Sequence, residues 1–400
     1  MSERTPKVRL KRTISLPILT LFGLGNVLGA GIYVLIGKVA GVAGQAAPLS
    51  FLIAACIAGL TAASYMELSH RFPVSAGASA YVHEGLRFKS LAQLVGLLIL
   101  LSAVFSSATL AIGFAGYMQS FISLSSPILI VGMFVMLGAI TIYGIAESSR
   151  AAAFITLLEI LGLAIIIWVG RDILLSPSSY SSLATSGTSI SAVLGGAFLA
   201  FYAFIGFEDI VNVAEESRAP AKIMPRAIII ALAVATLLYM LVVIVATNAI
   251  PTSTLAESKT PLADIFTGIT QAPASIISVI GILSAINGIL VHLVLVSRLM
   301  YGMAQRGLIH AHFGTVHKRT KTPILATIIT VIVMTTAALS LPILSLASLT
   351  SYAVLALFCL VNASLIAIKL RPSKRTPKLS IPIAIPIGGL ILSAMMIVVG

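Results

Sequence analysis

The chain has 400 residues, of which 58% are hydrophobic and only 9% are charged, and its mean hydropathy is +1.10. A soluble domain of average composition carries about 25% charged residues, so this composition excludes a soluble protein and predicts an all-α polytopic membrane protein. The formal net charge of +13 would suit a nucleic-acid-binding protein, but the placement of the basic residues argues against that partner.

Apolar stretches long enough to cross a bilayer as helices recur about eleven times. With the N-terminus in the cytoplasm, the inner segments carry 22 of the 25 Lys and Arg residues, which is the distribution expected of inner loops. We therefore predict a multi-pass protein of the cell (plasma) membrane, embedded in the lipid bilayer, with a cytoplasmic N-terminus and no nucleic-acid partner. The predicted spans are 15–36, 46–70, 90–119, 126–144, 150–170, 190–213, 226–249, 275–301, 323–341, 346–368 and 380–399.

The first span contains an unusual run of glycines. Gly25, Gly29 and Gly31 lie near its middle, and each costs about 1 kcal/mol of helix stability relative to alanine. One interpretation is a broken transmembrane helix whose freed backbone groups line a buried site, because a break that faced lipid would leave those groups unsatisfied. The other is close packing, since small residues let a neighbouring helix approach. Both interpretations fit this stretch when it is taken alone.

Two polar features follow in the first half of the chain. The third span carries four hydroxyl side chains, at Ser102, Ser106, Ser107 and Thr109. They either line a groove or bond back to carbonyls of their own helix, and we favour the local bonds.

Glu159 is an isolated carboxylate in the fifth span, about 13 Å from its inner end at the helical rise. A charge at that depth is costly, so a functional role is the leading hypothesis and a partner such as a buried hydroxyl cluster is the alternative.

The sixth span repeats the pattern of the first, with a glycine inside an apolar helix. Aromatic residues flank Gly206, and Glu208 and Asp209 follow at membrane depth. An acidic pair within a span is hard to explain as core packing, which favours a functional site. In the eighth span His292 lies deeper than Arg298, and we favour a hydrogen-bonded structural histidine over a proton relay.

The breaks at Gly29 and Gly206 lie five spans apart, which predicts an inverted repeat. A unit with an odd number of spans inserts upside down in its second copy, so a two-fold axis in the membrane plane would relate spans 1–5 to spans 6–10. The broken spans one and six would then meet at mid-bilayer. The predicted organisation is a basic cytoplasmic tail, a first five-helix repeat, an extracellular loop, a second five-helix repeat, and an inner basic loop with one additional helix, at residues 1–13, 14–172, 173–189, 190–369 and 370–400.

Three motifs in this order resemble those of the amino acid–polyamine–organocation (APC) transporters. Residues 25–33 are similar to the family's span-one signature, Gly-x-x-x-Gly-Ser/Ala-Gly-Ile-Phe, and residues 67–81 to its inner-loop pattern of Glu-Leu, Pro, glycines and Tyr. Residues 204–208, with the acids and prolines that follow up to 225, are similar to its span-six signature. The resemblance covers roughly spans one to ten. It implies a LeuT-like 5+5 inverted repeat with spans one and six broken, in a chain of about eleven spans where most members have twelve.

The resemblance also implies roles for individual residues. In the family, amides at the span-one break hold the substrate carboxylate, and carbonyls at the span-six break receive its ammonium. The physics agrees, because a helix N-terminus favours an anion and exposed carbonyls favour a cation. Tyr202 and Phe207 would close over the substrate side chain, and Glu208 would link occupancy to the gate. The substrate-binding residues implied in this way are Val27, Gly29, Ala30, Gly31, Tyr202, Ala203, Phe204, Ile205, Gly206 and Phe207.

One departure from the family concerns the coupling ion. Some proton-coupled members place a lysine on span five at the position of Glu159, so their coupling chemistry cannot be copied to this chain. Glu159 would either bind and release a proton or help to coordinate a metal cation such as sodium, together with Ser284 or Asn287. These three residues and Glu208 are the predicted coupling and gating residues, with a proton, or else sodium, as the coupling ion.

We predict a secondary active amino acid transporter with proton-coupled uptake by alternating access. A cationic amino acid or polyamine exchanger is the alternative, because Glu159 and Glu208 could face a basic side chain. The sequence contains nothing that resembles a nucleotide-binding loop, so an ion gradient or exchange would supply the driving force.

A membrane enzyme with Glu208 and Asp209 as acid and base is a rival from another class, and an amino acid sensor that does not transport is a third. We expect no enzyme activity, no bound cofactor and no metal site, and the sequence does not indicate the oligomeric state.

Overall fold

The computed structural model is built almost wholly from α-helices that run back and forth through the molecule. It describes residues 12, 14–29, 31–75, 77–143, 149–180, 187–305, 309–317, 319–320, 322–371 and 378–400. Ala30, one of the predicted substrate-binding residues, lies outside the described residues. So do residues 181–186 of the predicted extracellular loop, and most of the basic N-terminal tail.

The first half of the chain forms spans one to five. Span one is divided into α1 (Leu16–Leu28) and α2 (Gly31–Ala43), and span two is α3 (Ala47–Arg71). A short helix, α4 (Gly77–Leu86), follows at the face of the bundle where span one begins, which we call the N-terminal face. Spans three to five and a short helix after them are α5 (Lys89–Met118), α6 (Ser126–Ile142), α7 (Ser149–Val169) and α8 (Arg171–Leu175).

The second half forms spans six to eleven. Span six consists of α9 (Ile190–Phe201) and two 3₁₀-helices, Tyr202–Phe204 and Phe207–Glu216. Span seven is α10 (Pro220–Ala249), and two short helices, α11 (Thr252–Glu257) and α12 (Pro261–Thr270), separate it from span eight. The remaining spans are α13 (Ser275–Gln305), α14 (Ile324–Ser340), α15 (Ile343–Leu370) and α16 (Ala384–Val399).

The lengths and composition of these helices confirm a polytopic membrane protein. Seven helical segments of the described chain are long and apolar enough to cross a membrane, and one of them, Leu16–Arg71, contains both span one and span two. Three shorter apolar helices, α6, α14 and α16, bring the total to the eleven spans expected from the sequence. Several helices begin with a proline in the first turn, as at Pro17, Pro48 and Pro127, where the missing N–H removes no helical hydrogen bond.

The contacts between spans follow the pattern expected of a 5+5 repeat. Span one packs against span seven, and its counterpart, span six, packs against span two. Span three packs against span ten, and its counterpart, span eight, packs against span five. Spans two and seven, three and eight, and four and nine are each packed against one another. Adding or subtracting five converts the first four contacts into one another and each of the last three into itself, as a two-fold relation between the halves requires. The residue boundaries of the repeats remain a prediction.

The two faces of the bundle differ. At the face opposite the N-terminal one, α11 lies against α2, and Lys38 donates a hydrogen bond to the Ala256 carbonyl. The helices approach closely because α2 presents Gly41 there: a Cβ at this position would lie 2.5 Å from the Ala256 Cβ. Helix α12 packs against α2, span five and span eight, so these two short helices cover this side of the molecule.

Two connections hold the N-terminal face together. Ile14, just before span one, pairs with the end of span six: its N–H donates to Glu216 O (3.1 Å), and Arg218 N–H donates to Ile14 O (2.9 Å). Glu67 at the end of span two is fully buried and forms ion pairs with Arg71 and with Lys369 of span ten (Lys369 Nζ–Glu67 Oε2 2.7 Å). The Ile381 amide, just before span eleven, donates to the same Oε2 (2.8 Å).

Candidate substrate site

The break in span one lies between two helices that end and begin within three residues of each other. Helix α1 ends at Leu28, the Gly29 N–H still bonds back to Gly25 O (3.1 Å), and α2 starts at Gly31. The Gly29 carbonyl accepts a hydrogen bond from Ser284 Oγ of span eight. A side-chain hydroxyl from another span thus supplies the partner that this carbonyl lacks within its own helix.

The break in span six is longer and has a different backbone. Helix α9 ends at Phe201, a single 3₁₀ turn follows, and Ile205 is extended at φ −69°, ψ 140°. Gly206 has φ +121°, a conformation that residues with a side chain rarely adopt. A Cβ at Gly206 would also lie 2.6 Å from the Asn26 carbonyl oxygen of span one. Only glycine meets both conditions at once.

The two breaks meet, as the inverted repeat predicts. A Cβ at Gly31 would overlap the backbone of Ala203, including its amide nitrogen at 2.9 Å, so the start of α2 lies directly against the span-six break. Both interpretations of the span-one glycines, a broken helix and close packing, therefore hold. The helix is interrupted between Leu28 and Gly31, and Gly31 permits close packing against the other break.

Tyr239 of span seven bridges the two breaks, and the sequence analysis missed it. Its hydroxyl lies 2.6 Å from Val27 O and 3.0 Å from Ala203 O, and the side chain is fully buried. One hydroxyl proton is therefore shared between one carbonyl from each break. The available signal was a hydroxyl-bearing residue in the middle of an otherwise apolar span, which by itself does not indicate its partners.

Glu159 lies beside the span-one break. A Cβ at Gly29 would be 3.3 Å from Glu159 Oε1 and 3.2 Å from Ser284 Oγ, so both side chains reach the same backbone position. Glu159 is fully buried, and its own carbonyl accepts a hydrogen bond from Tyr33 (2.8 Å). Asn287 is buried one turn from Ser284, but within the described residues its Oδ1 accepts no hydrogen bond. The structure brings Glu159 and Ser284 together at Gly29, whereas Asn287 has no described contact there.

The aromatic residues of span six have separate surroundings. The Tyr202 hydroxyl lies 3.0 Å from Ser106 Oγ of span three, and the Phe204 ring packs edge-on against Tyr239 (centroids 5.2 Å apart). Phe207 packs against Tyr65 and Phe358 at centroid distances of 5.8 and 5.5 Å. Phe207 therefore lies among spans two and ten in this conformation, and its closing over a substrate remains a prediction.

The hydroxyl groups of span three are divided between local and long-range bonds. Ser102 and Thr109 bond to carbonyls of their own helix, Ile99 O at 2.9 Å and Phe105 O at 3.0 Å. Ser106 and Ser107 reach other spans instead, so our expectation of local bonding was wrong for these two. Ser107 Oγ lies 3.1 Å from His292 Nδ1, which agrees with a hydrogen-bonded histidine in span eight.

A small cavity, which we call the chamber, lies next to the span-six break. Its volume of about 30 Å³ has room for one or two water molecules. Ile205 and Glu208 line it, so it adjoins the predicted site. Its polar lining comes from spans two, three, six and eight and consists of Tyr65, Ser102, Ser106, Glu208, Asp209, Asn212 and His292.

A much larger cavity of about 1170 Å³, the vestibule, occupies the N-terminal face. It shares four lining residues with the chamber, at Ile99, Asp209, Asn212 and Leu295. Exposed side chains such as Lys89, Glu216 and Arg298 line its outer part. The surroundings of the span-six break therefore adjoin a wide cavity on one face, while α11 and α12 cover the other.

This geometry can be compared with known proteins. The model of the family described as amino acid permease matches residues 14–400. The chain belongs to the amino acid permease family. This family is part of the APC superfamily, so the resemblance of the three sequence motifs is confirmed, and so are the predictions of amino acid transport and of membrane helices.

Three relatives illustrate the range of the family. The chain is 30% identical over 382 residues to the branched-chain amino acid permease BcaP of Bacillus subtilis, covering 90% of this chain and 81% of the relative. It is 31% identical over 407 residues to the methylthioribose transporter of the same organism, covering 96% and 86%. The human cationic amino acid transporter 4 is 31% identical over 400 residues, covering 93% of this chain and 62% of the relative. The names are those of transporters, and their substrates differ.

Proposed function

We propose that this permease is a secondary active amino acid transporter that takes up its substrate together with protons by alternating access. The observation that carries the proposal is the contact between the two helix breaks, with Gly31 against Ala203 and Tyr239 bonded to both. Interrupted helices inside a membrane protein are tolerated where their freed backbone groups surround a ligand or a cavity, and in inverted-repeat transporters that ligand is the substrate.

The chemistry of the two breaks suits a zwitterion. Helix α2 begins at Gly31 and presents free backbone N–H groups, which favour a carboxylate. The end of α9 and the residues after it present carbonyls at 203–205, which favour an ammonium group. We propose that the set from Val27 to Gly31 and from Tyr202 to Gly206 holds the amino acid backbone in this orientation. Phe207 would join this set only after a movement out of its present packing.

Alternating access is supported by the difference between the two faces. The vestibule adjoins the chamber from the N-terminal side, and the short helices α11 and α12 cover the opposite side. In this conformation the chamber itself is too small for an amino acid, so substrate entry requires the spans around it to separate. We propose that the N-terminal face is cytoplasmic, as the distribution of Lys and Arg indicates.

Glu159 is our candidate for the coupling group. A buried carboxylate in a membrane is costly when ionised and less so when protonated, and Glu159 lies with Ser284 at the Gly29 carbonyl, where span one is interrupted. Loss or gain of a proton at Glu159 would therefore change the charge next to the break. Glu208, whose Oε2 accepts the Gly206 N–H (2.9 Å), is the corresponding group at the other break and our candidate for gating.

The deciding experiment is uptake of a panel of labelled amino acids into proteoliposomes that contain the purified protein, with and without an imposed pH gradient. Proton symport predicts that an inward proton gradient drives accumulation above the external concentration. Accumulation that ignores the gradient but depends on amino acid inside the vesicles would instead establish exchange.

Glu159→Gln tests the coupling group directly. The amide preserves size and hydrogen-bonding capacity but cannot take part in proton exchange, so we expect the variant to lose gradient-driven accumulation and retain counterflow of labelled substrate. Glu84→Gln is a matched control, because Glu84 is exposed in α4, and it should behave as the wild type. Full gradient-driven accumulation by Glu159→Gln would exclude this carboxylate as the coupling site.

A second candidate function is exchange of cationic amino acids or polyamines. It is favoured by the two carboxylates, Glu208 and Asp209, that line the chamber, because such a lining suits a basic side chain. The name of the human relative points in the same direction. Competition in the same counterflow assay distinguishes the two: arginine and lysine should displace the label only if the substrate is cationic, and branched-chain amino acids only if it is apolar.

A further inference from the structure

The chamber concentrates negative charge that its described surroundings do not neutralise. Glu208 and Asp209 are adjacent in sequence and both line it. Glu208 accepts the Gly206 N–H, and Asp209 Oδ1 accepts a hydrogen bond from Asn212 Nδ2 (3.2 Å). Among the described residues, neither carboxylate forms an ion pair with a lysine or arginine. Two neighbouring carboxylates repel each other, and a proton on one of them removes the repulsion.

His292 of span eight brings a basic group to the same cavity. Its Nδ1 faces Ser107 of span three at 3.1 Å, so Nε2 is the ring nitrogen left for the chamber. Tyr65 is an independent indication that the chamber holds a polar ligand or water. It is fully buried, it lines the chamber, and its hydroxyl has no hydrogen-bond partner within the described residues. A cavity with room for one or two water molecules would let a proton pass between these groups.

The position of Asp209 connects this cluster to solvent. Asp209 lines both the chamber and the vestibule, whereas Glu208 and His292 line only the chamber. Apart from Tyr65, Glu208, Asp209 and His292, the titratable and charged groups around these cavities face the vestibule from α4, span three, span six and span eight. They are His83, Lys89, Glu216 and Arg298.

We propose that Asp209, which lines both cavities, and His292, which lines the chamber, form a second proton-binding pair separate from Glu159. A proton from solution on the vestibule side binds the Asp209 carboxylate or His292 Nε2 and returns to the same solution when the pair is deprotonated. Uptake of this proton offsets one negative charge beside the span-six break. The pair therefore makes substrate exchange at the vestibule side sensitive to the pH of that compartment. The inference rests on the proposed function, because it assigns a role within the transport cycle.

The first test counts protons on the purified full-length protein by potentiometric titration between about pH 8 and pH 5, the range in which histidine titrates. We expect His292→Asn to bind about one proton fewer than the wild type, while its amide keeps a partner for Ser107. Asp209→Asn should bind about one fewer as well. Because one proton is shared, the double variant should lose no more than either single variant. A histidine with a purely structural role would predict no difference for His292→Asn.

The second test measures counterflow in proteoliposomes with equal pH on both sides. The wild-type rate should rise severalfold from about pH 8 to about pH 5, and both single variants should flatten this profile. His310→Asn is the matched control, because His310 is exposed and lines neither the chamber nor the vestibule, and it should keep the wild-type profile. Unchanged profiles in both chamber variants would overturn the proposal. The proposal would also be overturned if the counterflow rate depended on the sodium concentration instead of on pH. It would be overturned as well if the substrate were cationic and its own displacement by protons accounted for the whole pH dependence.

The outcomes separate this inference from the proposed coupling at Glu159. Glu159→Gln should lose gradient-driven accumulation and still show the counterflow profile of the wild type. If the wild type fails to accumulate substrate in a pH gradient, proton symport is wrong, and the titration still decides whether Asp209 and His292 share a proton. If Glu159→Gln itself abolishes the profile, the pair is not a separate site.

Discussion

The two helix breaks hold equivalent positions in the inverted repeat, yet they are built differently. At the span-one break Gly29 keeps helical dihedral angles of φ −61° and ψ −42°, and side chains of spans five and eight surround it. At the span-six break Gly206 is at φ +121°, the helix continues as a 3₁₀-helix, and the backbone of span one lies against it. The repeat thus fixes where the chain is interrupted, while local sequence decides how. The span-one break is surrounded by polar side chains of other spans, whereas the span-six break depends on a backbone conformation that glycine adopts.

The largest effect should come from Gly206→Ala. The substitution adds about 1–3 kcal/mol of backbone strain and places a methyl group 2.6 Å from the Asn26 carbonyl oxygen. Since about 1.4 kcal/mol corresponds to a factor of ten, we expect counterflow to fall by at least about tenfold. Gly195→Ala is the matched control in the same span, because its Cβ would meet Val42 at an ordinary 3.6 Å. Wild-type counterflow in Gly206→Ala would show that the span-six break is not defined by backbone shape.

Tyr239→Phe should have an intermediate effect that involves both breaks. It removes the hydroxyl bonded to Val27 O and Ala203 O, and a net hydrogen bond is worth about 0.5–1.5 kcal/mol. We expect the apparent substrate affinity to fall by up to about tenfold, measured as the half-saturation concentration for counterflow. Tyr180→Phe removes an exposed hydroxyl-to-carbonyl bond to Leu174 (2.8 Å) and should leave this value unchanged. If the two variants are indistinguishable, the bridge does not hold the breaks together.

Gly29→Ala should have the smallest effect on exchange and would sharpen the contrast with Gly206→Ala. Its backbone angles already suit alanine. The added methyl would lie 2.9 Å from the Gly25 carbonyl oxygen, one turn back in the same helix, and 3.2–3.3 Å from Ser284 Oγ and Glu159 Oε1, so the end of α1 and these two side chains must shift by a few tenths of an ångström. We expect counterflow to stay within about threefold of the wild type, while gradient-driven accumulation falls because the coupling side chains are displaced. A collapse of counterflow as large as that of Gly206→Ala would mean that the two breaks are equivalent after all.

Much of the fold could be predicted because hydropathy and glycine placement act locally along the chain. Eleven spans, the interruption between Leu28 and Gly31 and the matching one at 205–206 all follow from runs of residues that can be recognised in sequence. The pairing of spans follows from the odd number that separates the breaks. None of these steps requires knowledge of which side chains touch.

The rest of the site depends on contacts between distant residues. Tyr239 bonds to carbonyls 212 and 36 residues away, and nothing in its own span indicates either partner. Ser102 and Ser106 lie one turn apart on the same helix and both line the chamber, yet Ser102 bonds to its own helix and Ser106 to Tyr202. Their spacing in the sequence does not distinguish these partners. The vestibule is formed by five separate parts of the chain, so its existence depends on how the spans are arranged in one conformation.

The buried Glu67 bears on how the chain can be divided. Its carboxylate binds Lys369 from the end of span ten and the Ile381 amide from the segment before span eleven, and Lys369 in turn donates to Ile381 O (2.6 Å). The predicted boundary at 369–370 therefore divides a single cluster of ion pairs and hydrogen bonds. A fragment cut there would leave a buried carboxylate short of its amide donor and a lysine short of its carbonyl. In expression or fusion experiments, span eleven should therefore be kept together with the ten-span core.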